Sequence, residues 1–232
     1  LPEPLHHAAL VSTEDELFLI GGYVGASFSA PTDAVVRLDG DGWTAATALP
    51  SARAAGAAAW DGERVVYGGG VLNGGGLAHD VLGFDGQAWT SIGNLSSPRE
   101  HLAASSDGEG RTWLLGGRML SLLTNTTTVD LVADAGVRRI AQLPTARGGV
   151  AAFHAPELGA CLTGGEEPSR AIDAVECVDA DGRLTVLPPL AEPRHGHGAA
   201  VVDGVAYVLL GGPQPLLTVS PTVQALEVAA AD

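Results

Sequence analysis

The sequence has no lysine, and its acidic residues far outnumber the basic ones. Its 12 basic residues are all arginine, Asp and Glu together number 27, and the formal net charge is −15. A protein of this charge repels phosphate backbones and anionic lipids, so we expect no nucleic-acid partner and no membrane insertion. It also lacks an apolar run of the roughly 18 residues that a membrane-spanning helix needs. With 46% hydrophobic and 17% charged residues, the composition favours a packed globular domain.

What the sequence does have is a repeat. A five-residue segment recurs along the chain, and a glycine pair follows each copy. The copies begin at Leu1, Leu49, Leu95, Leu143 and Leu190. We assign the glycine pairs Gly21-Gly22, Gly68-Gly69, Gly116-Gly117, Gly164-Gly165 and Gly211-Gly212. A period of this size is typical of a repeat architecture. We therefore predict one domain over residues 1–232, with repeats at about 1–48, 49–94, 95–142, 143–189 and 190–232.

Each repeat contains short apolar runs separated by turn residues, which predicts four antiparallel strands. Asp-Gly turns such as Asp203-Gly204 favour tight hairpins between them. The fifth repeat stops after Leu226-Glu227-Val228, in its third strand. This leaves two alternatives, a five-bladed ring with one three-stranded blade or a fragment of a ring of six or more blades, and we favour the fragment.

Three features together resemble the kelch repeat. They are the glycine pair after the second strand, the Pro-x-x-Arg element before the first strand, and a tryptophan, Trp43 or Trp89, that opens the fourth strand. The third and fourth repeats depart from this pattern, with Val137 and Leu184 in the tryptophan position. The resemblance covers the whole chain and implies an all-β fold, a kelch-type β-propeller.

Alternating strand direction places the longer loops on one face, which we call the loop face. It comprises the segments that lead into each first strand and the loops 23–32, 70–79, 118–125, 166–172 and 213–221. The short turns lie on the opposite, acidic face. In a propeller the first strand is innermost, so we expect four arginines at the mouth of the central channel: Arg53, Arg99, Arg147 and Arg194.

Those arginines suggest a site for an anionic small molecule or an acidic peptide, because a guanidinium matches a carboxylate. Kelch substrate adaptors bind acidic peptides through arginines at this position, and the resemblance implies the same here. The alternative is that each arginine pairs inside the molecule, for example with Glu3, Glu100 or Glu192. Four histidines of the same face complete the predicted ligand site: His7, His101, His195 and His197. Histidines that converge from several blades could also hold a divalent metal. We nevertheless expect no metal and no cofactor.

No nucleophile elbow and no phosphate-binding loop is present. We therefore predict no catalytic residues and a non-enzymatic binding or scaffold propeller that engages a protein or an anionic ligand through the loop face. One alternative is a kelch-type enzyme that acts on an anionic sugar, with Glu100 or His101 moving protons. Another is a purely structural repeat domain of a larger exported protein.

The only two cysteines, Cys161 and Cys177, fall on neighbouring strands of the fourth repeat. Residues opposite each other on such strands have Cβ atoms about 4.5–5.5 Å apart, which is near the disulfide range. We predict a disulfide and hence an extracellular or periplasmic protein. Two buried, unpaired cysteines are the alternative. The lysine-free, Ala- and Gly-rich composition suggests a bacterial source.

Overall fold

The structure is a computed structural model that describes residues 1–40 and 42–228. Asp41 and the last four residues of the predicted fifth repeat lie outside the described residues. Five small antiparallel sheets are arranged as a five-bladed β-propeller, which confirms the predicted all-β fold. In the described part of the chain, the only helical element is a 3₁₀ turn at Leu122–Thr124.

The blades follow one another along the chain. Blade one consists of Ala9–Ser12, Leu17–Ile20, Val35–Asp39 and Gly42–Ala45. Blade two consists of Ala57–Trp60, Val65–Gly68, Asp80–Phe84 and Trp89–Asn94. Blade three consists of Ala103–Ser106, Thr112–Leu115, Thr128–Ala133 and Gly136–Gln142. Blade four consists of Ala151–Ala155, Gly159–Thr163, Val175–Val178 and Leu184–Leu187.

Blade five has three strands among the described residues, as the sequence predicts: Gly198–Val202, Val205–Leu209 and Val223–Glu227. In every blade the strands pair in chain order. Three two-stranded ribbons accompany the loop face. They pair Leu5–His6 with Tyr23–Val24, Arg53–Ala54 with Val71–Leu72, and Glu166–Glu167 with Arg170–Ala171.

The core lies between neighbouring blades. Four hydrophobic clusters fill the spaces between blades one and two, two and three, three and four, and four and five. Second strands are accordingly buried along their whole length in blades two, three and four, because each is covered on both faces. In blade five, buried and more exposed residues alternate along the second strand: Ala206 and Val208 are buried, and Tyr207 is exposed. Among the described residues, a core cluster lies on the side of this blade that faces blade four, and none lies on its other side.

Two residues with left-handed backbones follow each second strand. In blade three they are Gly116 and Gly117, with φ of 61° and 100°. In blade two they are Gly69 and Gly70, so the predicted pair Gly68-Gly69 was wrong by one residue. In blades one to four the first of the two must lack a side chain. On Gly69, for example, a Cβ would lie 2.4 Å from the carbonyl oxygen of Arg99 in the next blade. In blade five the two residues are Leu210 and Gly211, with φ of 62° and 83°, so the predicted pair Gly211-Gly212 was also wrong by one residue. The side chain of Leu210 is exposed.

Candidate functional site on the loop face

The four predicted arginines share one environment, and it is not an exposed channel mouth. All four are buried, with at most 2% of each residue exposed. Three of them pair with a carboxylate on the third strand of their own blade: Arg53 with Asp80, Arg99 with Asp130, and Arg147 with Glu176.

The contacts of Arg147 show how each of these guanidinium groups is held in its blade. Its Nη1 lies 2.6 Å from a carboxylate oxygen of Glu176 and donates to the carbonyl oxygen of Thr145 at 3.0 Å, while Nη2 donates to that of Leu162 at 3.2 Å. Arg194 follows the same plan. It donates to the carbonyl oxygens of Leu210 and Thr222 and lies 3.2 Å from Glu192.

The expected ring of arginines around an open mouth therefore has to be corrected. Each guanidinium turns into its blade because carbonyl and carboxylate acceptors surround it there, whereas an outward position would bring like charges together. Of the carboxylates suggested as internal partners, Glu192 pairs with one of these arginines, Arg194. Ligand binding through these four side chains stays a prediction, and their burial gives it no support.

The histidines behave differently, because three of them meet at the centre of the loop face. His7 of blade one and His101 of blade three have left-handed backbones, and their ring centroids lie 4.9 Å apart. His195 of blade five lies 3.5 Å from a carboxylate oxygen of Glu166. His197 lies apart from them and contacts the hydroxyl of Thr163 at 2.9 Å. Among the described residues, no group of three His, Cys, Asp or Glu side chains is placed to hold a metal ion.

Arg118 connects this histidine cluster across blades three and four. Its Nε donates to Glu100 at 2.9 Å, and its Nη1 donates to Glu166 at 3.0 Å. Glu100 in turn contacts the Nδ1 atom of His101. The side chain of Arg118 is 14% exposed, whereas those of the four blade arginines are at most 2% exposed. Two carboxylates flank its single positive charge.

The central histidines are held neutral. Burial lowers the pKa of His7 to about 4, assisted by the positive charges of His6 and Arg118. Burial also lowers the pKa of His101 well below its ordinary value, and Arg118 acts in the same direction. For His195, burial lowers the pKa although the Glu166 carboxylate opposes the shift. At neutral pH these three histidines therefore add no positive charge to the centre.

Around this polar centre, three of the five loops present large apolar side chains to solvent. The loops belong to blades one, three and five, and the exposed residues are Phe28, Met119, Leu120, Leu123, Leu216, Leu217 and Val219. Leu217 is 91% exposed and Leu123 is 84% exposed. We call these seven residues the apolar rim.

The loop of blade five is fixed to the polar centre. The backbone N–H of Leu216 donates to Glu166 at 3.0 Å, and its carbonyl oxygen accepts from Nε2 of His195 at 2.6 Å. Leu216 has a φ of 68°, a left-handed conformation that is costly for a β-substituted residue. These two bonds hold the strained backbone, so the neighbouring Leu217 and Val219 project from an anchored loop.

Comparison with known protein families gives no matching family model for this chain. No curated protein matches it either. Assignment of the site therefore rests on the geometry of the loop face.

Sequence reasoning named His7, His101 and His195 and placed the loops 118–125 and 166–172 on this face. It did not predict the contacts of Arg118 with Glu100 and Glu166, and it missed the apolar rim. A signal was available for the rim, since apolar residues such as Leu216, Leu217 and Val219 are unusual in a loop that carries two prolines at its start, Pro213 and Pro215. No pattern in the sequence shows that Arg118 and Glu166 meet, because they come from different blades.

The predicted disulfide is present. Cys161 and Cys177 face each other on the second and third strands of blade four, and their sulfurs are bonded. Both residues are fully buried in the cluster between blades four and five. Within the described residues, no helix is both long and apolar enough to cross a bilayer.

Proposed function

We propose that this propeller is a non-enzymatic binding module that docks a partner protein on its loop face. The observation that carries the proposal is the apolar rim, seven large side chains exposed on three loops of one face. Contiguous exposed apolar surface with a polar surround marks interaction sites. Loops on a rigid scaffold are where binding residues concentrate.

The charges of the face favour a protein over an anion. The four blade arginines are neutralised inside the blades, and Arg118 lies between Glu100 and Glu166. A small anion would therefore meet two carboxylates for every accessible guanidinium at the centre. A lipid surface would also meet the apolar rim, but the net charge of −15 opposes approach to anionic lipids. A polypeptide that presents apolar side chains meets neither obstacle.

The Cys161–Cys177 disulfide supports an exported protein, because disulfides persist in oxidising compartments. We propose an extracellular or periplasmic location for that reason. The kelch resemblance of the repeats fits this assignment, since the propeller fold is commonly a binding or scaffold domain. Kelch membership is itself part of the proposal and rests on the repeat features alone.

A displayed library of random dodecapeptides tests the proposed surface. Peptides selected on the native chain are counter-screened against Leu123→Ser/Leu217→Ser, which removes two exposed side chains of the apolar rim. Val186→Ser is the matched control, since Val186 is 66% exposed on the fourth strand of blade four and is not part of the apolar rim. We expect apolar peptides that bind the native chain and the control but bind the double variant at least about tenfold more weakly.

Peptides that bind all three proteins equally, or no enrichment above an unrelated protein, would contradict the proposal. Selection of acidic peptides whose binding depends on Arg118, tested with Arg118→Gln, would instead favour the anionic-ligand alternative. Far-UV circular dichroism of each variant shows whether the fold is retained.

A further inference from the structure

A groove crosses the acidic face between blades one and two. Two adjoining cavities of about 440 and 520 Å³ form it, and Glu16, Phe18 and Phe84 line both of them. The two flanking blades each have all four strands, and they pack on each other through the core cluster that contains Phe18 and Phe84. Both walls of the groove therefore belong to complete blades.

A comparison with blade three shows why this space is open. Phe18 and Trp113 hold the same position in their blades, three residues before the left-handed pair that follows the second strand. The indole of Trp113 reaches the next blade, where its Nε1 donates to the carbonyl oxygen of Asp179 at 3.4 Å. Asp85 follows the third strand of blade two as Asp179 follows that of blade four. The smaller ring of Phe18, which has no donor, leaves a cavity beside Asp85.

The floor of the groove is apolar, and one wall is held in place by hydrogen bonds. The floor consists of Phe18, Trp60, Val65 and Phe84. Thr47, which follows the fourth strand of blade one, forms part of the wall. Its carbonyl oxygen accepts from Nε1 of Trp89 at 2.9 Å, and its hydroxyl donates to the carbonyl oxygen of Gln87 at 3.0 Å. These bonds join the two blades at the groove, so its shape is formed before anything binds.

The rim of the groove is rich in carboxylates. It carries Glu14, Asp15, Glu16 and Asp85. The one basic residue that lines the groove, Arg37, pairs with Glu16 at 2.7 Å. The other three carboxylates are exposed, and among the described residues no arginine lies within ion-pair distance of them. Hydrogen bonds from the backbone N–H groups of Ala88 and Gln87 lower the pKa of Asp85, which keeps it ionised at neutral pH.

An apolar floor below an acidic rim matches a long basic side chain. Such a side chain places its aliphatic stem along apolar surface and keeps its charged head in water. Arginine fits better than lysine, because its planar fork of donors matches carboxylates and is more weakly hydrated than an ammonium group. An acidic ligand would instead be repelled by the unpaired carboxylates. Charge complementarity therefore selects a basic occupant.

We propose that this groove binds an arginine side chain of a partner polypeptide. The stem of the arginine lies over Phe18 and Trp60, and its guanidinium pairs with Glu14 and Asp85 at the rim. The net charge of −15 also favours the approach of a basic partner. The groove and the apolar rim are on opposite faces, so this inference is independent of the function proposed for the loop face.

Three short peptides that differ only in their central residue are the probes. Each has glycine and serine on both sides and blocked ends, and the central residue is arginine, lysine or citrulline. Citrulline has the shape of arginine without its charge. In titrations followed by ¹H–¹⁵N NMR, the arginine peptide should shift the amides of residues 13–16 and 85–88 and the indole N–H of Trp60. It should bind at least about fivefold more tightly than the citrulline peptide, with the lysine peptide between them.

Two charge variants and one floor variant locate the site. Glu14→Gln/Asp85→Asn removes two carboxylates of the rim and should weaken binding of the arginine peptide about fivefold or more. Glu157→Gln/Asp203→Asn is the matched control, because it removes the same charge from exposed turns of blades four and five. It should weaken binding by less than about twofold. Phe18→Trp should also weaken binding, without a change of charge, since an indole at this position fills the groove.

Equal binding of the arginine and citrulline peptides would overturn the proposal, and so would the absence of shifts with all three peptides. An equal loss in the two charge variants would overturn it too, because it would show diffuse attraction to a negatively charged face. Leu123→Ser/Leu217→Ser should leave binding unchanged, and a loss in that variant would place the peptide on the loop face instead. The charge variants keep the test decisive if Phe18→Trp fails to fold, which far-UV circular dichroism shows.

Discussion

The guanidinium of Arg99 lies 2.8 Å from the carboxylate of Asp130, and neither side chain has any exposed surface. Arg99 also donates from Nε to the carbonyl oxygen of Gly116 at 2.7 Å and from Nη2 to that of Leu114 at 2.9 Å. One side chain thus joins the segment that leads into blade three to the second and third strands of the same blade. The arginine that marks four of the five repeats in the sequence is thus a structural link within the blade.

Replacing Arg99 by alanine should destabilise the protein strongly. The change leaves the Asp130 carboxylate buried without its partner, which typically costs about 3–5 kcal/mol. Urea unfolding followed by tryptophan fluorescence measures the free energy of unfolding. Arg183→Ala is the control, because Arg183 is 79% exposed and its carboxylate neighbours are 3.5 Å or more away. A cost below about 1 kcal/mol for Arg99→Ala would show that the pair is not the link described here.

Gly69 should not tolerate a side chain, although many loop glycines should. A Cβ at Gly69 would lie 2.4 Å from the Arg99 carbonyl oxygen, against rigid backbone of the next blade. We expect Gly69→Ala to lower the free energy of unfolding by about 2 kcal/mol or more, from strain and displaced backbone together. Gly74 also has a positive φ, 93°, but a Cβ there would meet nothing within 4 Å. If Gly74→Ala costs as much as Gly69→Ala, contact between blades is not the reason for the glycine.

The disulfide should contribute measurably to stability. Its sequence separation is 16 residues, and closing a loop of that size stabilises the folded chain by about 3 kcal/mol. We expect Cys161→Ala/Cys177→Ala to lose at least this amount, since it also removes atoms from a buried cluster. Thiol titration of the denatured, unreduced native protein should find no free thiol. Two free thiols in protein isolated from an oxidising compartment would refute the pairing.

Acidification should destabilise the protein through its buried histidines. The pKa of His197 is about 3 in the folded chain, lowered mainly by burial and also by Arg194, His195 and Arg147, against an ordinary value of 6.5. At a pH between these two values, His197 binds a proton in the unfolded chain but not in the folded chain. The contribution of His197 to the free energy of unfolding is therefore fully present above pH 6.5 and is lost as the pH falls toward 3. The loss between pH 7 and pH 5 from this one residue is about 2 kcal/mol.

The variant His197→Gln isolates that contribution. It should flatten the dependence of the free energy of unfolding on pH, with the unfolding midpoint in urea measured at pH 7 and pH 5. His79→Gln is the control, because His79 is exposed at the end of a loop. An unchanged slope in His197→Gln would mean that His197 takes up its proton in the folded state.

Much of the site could not be predicted from the sequence, and the arginines show why. Their spacing correctly places their backbones before each first strand. A long side chain can still point to the channel or into the blade, and the carboxylates that decide between these, such as Asp130 and Glu176, lie about thirty residues further on. The glycine pair of blade two was misplaced for a different reason. Three glycines follow one another there, and the sequence does not show which two have left-handed backbones.

The sequence alone determined the repeat, the strand order and the disulfide, because hydrophobic alternation, turn residues and cross-strand pairing act over distances of one repeat or less. Tertiary structure decided what the surfaces present. Arg118, Glu100 and Glu166 meet only when blades three and four pack together, and the three loops that carry the apolar rim come to one face only when the blades are assembled.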